Sequence, residues 1–514
     1  MRSGRVPGMT LTVLSHQDVR TLLFQLTRQD ILDLQQSLAD ALHYYSTNTE
    51  DDGDDWDGGV GIAGMKMKRK DGGVVSVTPS SSNDRFGVKI TSLLNEKMKR
   101  SGSSDTEFAT STLESLRLSQ DSSSPSVKSS ATTNTTTTTT SGSQASAASA
   151  KSSLTLFSET GAPRAFVNTM EITAFRTALA STMLFKKRAN VHDVVVFGAG
   201  RQAYWHIRLA LLLRGEDIHH LNIINRDFEH VHHLLQELYN PHEAPTAFIA
   251  DPSHVPTYRQ AGEDHKEQLV RPKIQILTPS HSEYTRLLHA TLRSSSAIFL
   301  CTQSPVPLFP AATLTNPEGR KKGRYIAAIG SLSPEHTELH PDILRQNVAP
   351  EHAHRHFHKH AQQGGAVVVD SLDNCLRDAG ELVQARLGPE QVVELGELVM
   401  LKRDAEKRRR ECLASSMTMH DEGLDGEGVE LGECELETKT KKKKKGLLGL
   451  GGDKAKDKKD HESKDKAHKS LIEWLVKGNV IYKSVGLGLM DVVVGNDLVK
   501  LADERGIGTR IENF

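Results

Sequence analysis

Two periods of hydrophobic residues succeed one another along the chain. After Thr27, the positions Ile31, Leu34, Leu38, Ala41 and Leu42 recur at helical spacing, which predicts an amphipathic helix with one buried face. Ser15 with Asp18, and Thr27 with Asp30, have the hydroxyl-x-x-acid spacing by which a helix N-terminus caps itself. A Gly/Asp-rich loop runs from Glu50 to Gly73, and short β-like runs follow at Val74–Val77 and Phe86–Ile90. The second half changes character. Val194–Phe197 is an unbroken apolar run, a glycine turn follows, then HIRLALLLR at helical spacing up to Gly215, then a further strand at Ile218–Ile224. Strand, turn, helix and strand make a βαβ unit with parallel strands. Ala297–Cys301, Tyr325–Ile329 and Ala366–Val369 are further buried-strand candidates. Such alternation predicts an α/β fold built on a doubly wound parallel sheet.

Two stretches break the pattern. From about Ser101 to Ser152 the chain is mostly Ser and Thr, and from about Lys402 to Lys466 it is charged and mixed. Neither buries enough apolar area to offset its ordering entropy, so both are expected to be disordered insertions. The Lys441–Lys445 run reads as part of a solvated linker, and the sequon at Asn134 as idle. The 514 residues carry a formal net charge of -1, which argues against a dedicated nucleic-acid binder. Four cysteines exclude a disulfide scaffold. No apolar run reaches the ~18 residues of a membrane span. The opening MRSGRVPGMTLTVL lacks a signal-type apolar core, Met9 is a candidate start, and a cytoplasmic location is expected. His352, His356 and His360 would align on a helix, but no carboxylate or cysteine pattern completes a metal site, and a solvated loop is expected. GLLGLGGDK has Gly452-Asp453 where a phosphate loop needs Lys-Ser/Thr, and is rejected.

The turn between the first strand and helix carries chemistry. Gly198-Ala199-Gly200-Arg201-Gln202-Ala203 directly follows a strand and opens a helix. Gly198 permits the tight turn, Gly200 lets the backbone approach a pyrophosphate, and Ala203 keeps helix and strand close. The helix N-terminus, with Arg201 and Gln202, offers free N–H groups to phosphates. At the end of the second strand an NAD site usually presents an acid to the ribose. Here Asn225-Arg226-Asp227 stands, and the guanidinium of Arg226 suits a 2′-phosphate, so NADP(H) is favoured over NAD(H). The other reading is an ordinary turn in which Asp227 still serves the ribose.

With these residues in view, the chain resembles the ornithine cyclodeaminase/mu-crystallin family, most closely its fungal branch. The resemblance rests on Gly87–Ile90, on ITAFRTA from Ile172 to Ala178 after Glu171, and on the Gly198–Ala203 turn. It continues through Pro305–Phe309, Gly330–Pro334 with Thr337–Leu339, and Lys483–Gly486, in the family's order. It implies a homodimer of two-domain protomers. Residues 9–188 would form the substrate-binding and dimerisation domain, with the insert at about 101–152. Residues 189–485 would form the Rossmann domain, with the insert at about 402–466, and 486–514 would return to the first domain. Lys89 matches the family's active-site lysine, which holds a substrate carboxylate or gives a proton to an imine nitrogen. Arg176 and Thr177 match residues that reach the cofactor phosphates and the active site; Ser484, Val485 and Gly486 match a loop near the nicotinamide. Thr302 and Ser304 follow a strand where such a domain meets its ligand, and Cys301 reads as a small apolar filler.

The departures set the expected reaction. The cyclodeaminases place a catalytic Asp where Leu332 stands, beside Ser331, and a Glu where Ser76 stands. The family's upstream substrate arginine has only Lys66, Lys68 and Arg69 nearby, with no choice among them. Loss of two acids disfavours cyclisation of a diamino acid, which needs a group to deprotonate it. Reduction needs no such group. The expected activity is therefore an NADP(H)-dependent oxidoreductase that delivers hydride to a cyclic or amino-acid-derived imine, with Lys89 and Arg176 as catalytic residues and Ser331 and Leu332 near the substrate. Ornithine cyclodeamination with catalytic NAD is the alternative. A non-enzymatic NADPH and small-ligand binder of mu-crystallin type and a reductive amination of opine or alanine dehydrogenase type complete the set. No nucleic acid, membrane or metal is expected.

Overall fold

The computed structural model describes residues 10–48, 65–70, 73–82, 85–93, 150–239, 269–331, 333–348, 365–399, 475–512 and 514. Residues 1–397 and 474–514 belong to one unit; of a second, 398–473, only the first two residues are described. The His352–His360 stripe, the Lys441–Lys445 run and the rejected GLLGLGGDK loop lie outside the described residues.

The first sheet has seven strands in the order β15-β1-β6-β5-β4-β3-β2. They are β1 Thr10–Leu14, β2 Met65–Lys68, β3 Val74–Ser81, β4 Phe86–Leu93, β5 Ala150–Phe157, β6 Pro163–Asn168 and the C-terminal β15 Thr509–Glu512. Its pairs are antiparallel except β1 with β6. Two strands outrun the hydrophobic pattern. β3 continues through Pro79, which the sheet tolerates because β2 reaches only as far as Val77 and leaves no second neighbour to receive an N–H there. β5 begins at Ala150, inside the stretch expected to be unfolded up to Ser152; pairing of Lys151 with Ser92 and Ser152 with Thr91 places these residues, not their own propensity.

The second sheet has eight strands, all parallel, in the order β13-β12-β14-β11-β10-β7-β8-β9. These are β7 Asp193–Phe197, β8 His220–Ile224, β9 Lys273–Leu277, β10 Ala297–Leu300, β11 Tyr325–Ala328, β12 Gly365–Val369, β13 Val393–Glu394 and β14 Asn479–Lys483. Every residue of β10, β11 and β12 is buried, which is why they read as unbroken apolar runs. The chain moves outward from β7 through β8 to β9, then returns to β10 on the other side. The order thus reverses between β7 and β10, and the fold is a doubly wound Rossmann type with its switch point there.

Helices α1 His16–Phe24, α2 Arg28–Asn48, α3 Met170–Phe185, α4 Arg201–Arg214, α5 Phe228–Tyr239, α6 Tyr284–Ser294, α7 Ala312–Thr315, α8 Pro341–Val348, α9 Leu372–Asp378, α10 Gly380–Ala385 and α11 Gly488–Arg505 complete the unit. Both predicted capping boxes form: Ser15 with Asp18, and Thr27, whose Oγ1 accepts from Asp30 N at 3.2 Å while Asp30 accepts from Thr27 N at 2.8 Å. The α2 stripe Ile31, Leu34, Leu38 and Leu42 is buried. Helix α3 is buried nearly all round, packed on α2, α4 and α11, and its Ala, Ser and Thr residues allow these close approaches. Helix α11 lies across β3, β4 and β5.

Candidate functional site

The switch point is formed by glycines. Gly198 has φ +100°, and a Cβ there would lie 2.7 Å from the Cys301 carbonyl oxygen, so β7 can turn toward α4 only without a side chain. A Cβ on Gly200 would meet nothing within 4 Å, so the backbone faces open space at the N-terminus of α4. Ala203 is fully buried. Free N–H groups, the positive end of the helix dipole and an open approach are the features that a pyrophosphate needs, and this cradle of residues could hold one.

The carboxyl ends of the neighbouring strands are tied by buried acids. Glu338 accepts from Thr302 N, Thr302 Oγ1 and Gly330 N, each at 2.6 Å, and so staples the loops after β10 and β11. Burial pushes its carboxyl up to about 7, helped by Glu381 and opposed by Lys483. Lys483, at the end of β14, donates to Ser331 O at 2.6 Å and to Ser331 Oγ at 3.0 Å, and lies 3.2 Å from Glu381. Glu381 also accepts from Ser331 Oγ and from Glu338 N. Asp370 does the same work for the next loop: it accepts from Ser484 Oγ at 2.6 Å, Val485 N at 3.3 Å and Gly486 N at 2.7 Å. Cys301 is a filler, as its sequence context implied, since burial and nearby Glu338 hold its thiol far above the range of a nucleophile.

Opposite this edge stands a charged cluster from three distant segments. Lys89 projects from β4, and its Nζ donates to Thr173 Oγ1 of α3 at 2.8 Å and to Asp491 Oδ1 of α11 at 3.0 Å. Arg176, one turn along α3, has Nε 3.5 Å from the same Asp491 oxygen and donates from Nη1 to Met490 Sδ at 3.3 Å. Its guanidinium lies against Gly486, where φ is +89° and a Cβ would stand 2.7 Å from Nη2. Gly486 thus joins the cluster to the loop that Asp370 holds. Burial works against the charge on Lys89, Asp491 works for it and Arg176 against, and its pKa settles below the ordinary lysine value. Burial also opposes the charge on Asp491, but Lys89 and Arg176 outweigh it and hold the carboxyl below its usual range. Thr177 donates to Thr173 O at 2.9 Å and helps fix this turn of α3.

Lys89, Arg176, Gly198, Thr302, Ser331 and Ser484–Gly486 are therefore linked through one connected set of contacts, in which buried Cys375 joins Asp370 to Lys483; Gly200 stands at the open N-terminus of α4. Other predicted residues stand apart. The Arg201 guanidinium pairs with Glu171 at 2.7 Å and with Glu237, in a buried group with Arg20 and Trp205 Nε1, so only its backbone faces the cradle. Gln202 contributes its carbonyl to His206 Nδ1 at 2.7 Å. Ser304 donates to Val306 O at 2.6 Å. Asn225 bonds Asp227 O at 2.7 Å, and Arg226 is exposed beside it. Asp227 starts α5, accepting from Glu229 N at 2.9 Å and pairing with His230 at 2.7 Å. Lys66 and Lys68 are exposed on β2, and Leu332 lies outside the described residues. Sequence reading missed Asp491, Asp370, Glu338, Glu381 and Lys483 as site-forming groups. A lone acid in the apolar run GLMDVVVG was the available signal for Asp491.

No family profile matches the chain. An uncharacterized protein of Saccharomyces cerevisiae is 25% identical over 260 residues, 48% of this chain and 62% of its own length, so the chain spans under two thirds of this curated relative. Among solved structures, the Thermococcus litoralis Δ1-pyrroline-2-carboxylate reductase in complex with NADH and L-proline matches with TM-score 0.51 and 15% identity, covering 97% of this chain and 100% of that one. A probable ornithine cyclodeaminase from Bordetella pertussis matches with TM-score 0.51 and 14% identity, covering 97% and 99%. The fold is the one these structures share. Among the described residues, no helix is long and apolar enough to cross a membrane.

Proposed function

We propose that this protein is an oxidoreductase of the cyclodeaminase/ketimine reductase family, which uses NADP(H) to reduce the C=N bond of a cyclic or amino-acid-derived imine carboxylate. The observation that carries this reading is the Lys89 ammonium, aimed by Thr173 and Asp491 and placed beside Arg176, in contact through Gly486 with the loops that edge a dinucleotide cradle. The glycine turn fits the cofactor because its open backbone and helix N-terminus leave room for phosphates. When bound, the nicotinamide supplies the hydride. Lys89 uses two of its three N–H donors on Thr173 and Asp491, and the third is available to a substrate carboxylate or imine nitrogen. Arg176 and Lys89 against Asp491 leave one net positive charge, which favours an anionic substrate. Arg226 supports NADP(H): it is exposed at the end of β8, while Asp227 is occupied in starting α5.

The first sheet supports a homodimer. Its face away from α11 carries Phe86 and Ile90 of β4, Phe166 of β6, Met65 and Met67 of β2 and Ile511 of β15, from 39% to 60% exposed. Strand register puts them all on one side. Exposed apolar side chains gathered on one face are a feature of protein interfaces, and on this reading a second copy covers them. Residues 9–188 with 486–514 are on this reading the substrate and dimer domain, and 189–485 the cofactor domain.

The test is oxidation of NADPH and of NADH by the purified protein with a cyclic ketimine carboxylate, beside ornithine with NAD. Steady NADPH loss that falls at least a hundredfold in Lys89→Ala supports the proposal. Ammonia from ornithine without reductase turnover would replace it with the cyclodeaminase reading, and tight NADPH binding without either reaction would make the protein a binder.

A further inference from the structure

We infer that Asp491 is the positioning residue that keeps Lys89 charged and aimed, and that it takes the place of the acids absent at positions 76 and 332. This deepens the imine-reductase reading and rests on it. A lysine ammonium removed from water loses its proton readily unless an anion lies beside it. Among the described residues, the charged groups facing Lys89 are Asp491 from α11 and Arg176 from α3; its neighbours across the sheet, Thr78 on β3 and Leu154 on β5, are uncharged. Asp491 is 2% exposed, and its nearly buried carboxylate is paired with both cations. In the reduction, the imine carbon takes a hydride from the nicotinamide, the C=N π pair becomes an N–H bond, and the proton comes from Lys89 Nζ. Lys89 is left as a neutral amine and recovers its proton from solvent. Asp491 touches neither reacting atom; it raises the fraction of Lys89 that carries the proton to be given.

The same placement sets substrate class. Asp491 is saturated by Lys89 and Arg176, and Ser76, across β3 from Thr91, offers only a hydroxyl. Neither position then offers a free carboxylate to a second amino group. The site takes an imine monocarboxylate whose remainder carries no amine, in preference to a substrate with a distal ammonium.

The experiment compares wild type with Asp491→Asn and Asp491→Glu. Lys89 protonation is read by the pH dependence of acetic anhydride labelling, followed by peptide mass spectrometry, and reductase kinetics are read as pH profiles. In Asp491→Asn the labelling midpoint of Lys89 moves down by about 1–3 pH units, the shift expected from loss of an opposite charge in contact. The alkaline limb of kcat moves with it, KM for the imine carboxylate does not rise, and Asp491→Glu restores most of both. A folded Asp491→Asn protein with an unmoved Lys89 midpoint overturns the inference, and so does a raised KM at unchanged kcat, because Asp491 would then be a substrate contact. A lower KM for diamino than for monoamino imines overturns the specificity half. If the asparagine variant does not fold, the glutamate variant must keep the wild-type midpoint, and a shift there overturns the inference. If wild type reduces no imine at all, the reductase reading fails while the labelling still decides the relation of Asp491 to Lys89.

Discussion

Replacing Glu338 by Gln removes a carboxyl whose protonation is coupled to folding. Burial raises it to about 7 from an ordinary value of 4.5. Between those two values the folded chain holds a proton that the unfolded chain has released, so stability falls as pH rises through this window. A shift of 2.5 units corresponds to about 3 kcal/mol, all of it lost by about pH 7.5. The group is fully buried, so solvent screening does not reduce this figure much. Glu338→Gln removes the titration but also an acceptor, since the amide oxygen can accept on one side only and the NH2 then faces either the Thr302 donors or the Gly330 N–H; that loss costs about 1–3 kcal/mol at every pH. The assay is urea unfolding of both proteins at several values between pH 4.5 and 8. Wild type is expected to exceed the variant clearly at pH 4.5–5, and the gap should shrink by about 3 kcal/mol toward pH 7.5. A gap that stays constant, or one that widens with pH, would show that Glu338 is ionised across the range and that Lys483 outweighs burial.

Two more outcomes follow from single contacts. Gly486→Ala places a side chain at φ +89°, at a cost of about 1–2 kcal/mol, and drives back the Arg176 guanidinium 2.7 Å away. Melting should fall by a few degrees while kcat/KM falls at least about tenfold; full activity alongside reduced stability would detach Arg176 from the site. His206 is buried against Phe299, and burial pushes its imidazole down to about 4. The unfolded chain therefore binds a proton that the folded chain refuses below the ordinary value of 6.5, and about 3 kcal/mol of stability is lost as pH falls from 6.5 to 4. His206→Asn should flatten that part of the acid limb in a pH series of thermal melts, and an unchanged limb would refute the assignment.

Five of the eight parallel strands, β7, β8, β10, β11 and β12, were legible as apolar runs, whereas β9, with exposed Lys273 and Gln275, and β13 and β14 were not; the caps of α1 and α2 were legible because hydroxyl and acid lie within one turn. What escaped reading was placed by distant pairing. β5 starts in a Ser/Thr tract because β4 offers it a ladder, and β3 crosses Pro79 because the strand beside it stops short. The site divides along the same line. Gly198 and Gly200 announce themselves locally, as a glycine pair between an apolar run and a helix; at Gly198 the turn itself demands glycine. Lys89 and Arg176 carry no local mark and were read only through resemblance.

The acids show why a motif is a poor measure of a site. Ser76 and Leu332 suggested a pocket short of negative charge, yet the charge is present, 402 positions from Lys89 along the chain, on a helix whose first two turns are otherwise apolar. Its origin also explains its effect. Asp491, on α11, is paired with both Lys89 and Arg176. On the proposed reading, a carboxylate paired with Lys89 keeps a proton donor loaded instead of deprotonating an amine. On that reading the loss of the motif acids and the presence of Asp491 both favour giving a proton over taking one, and that is the direction the proposed reduction of an imine requires.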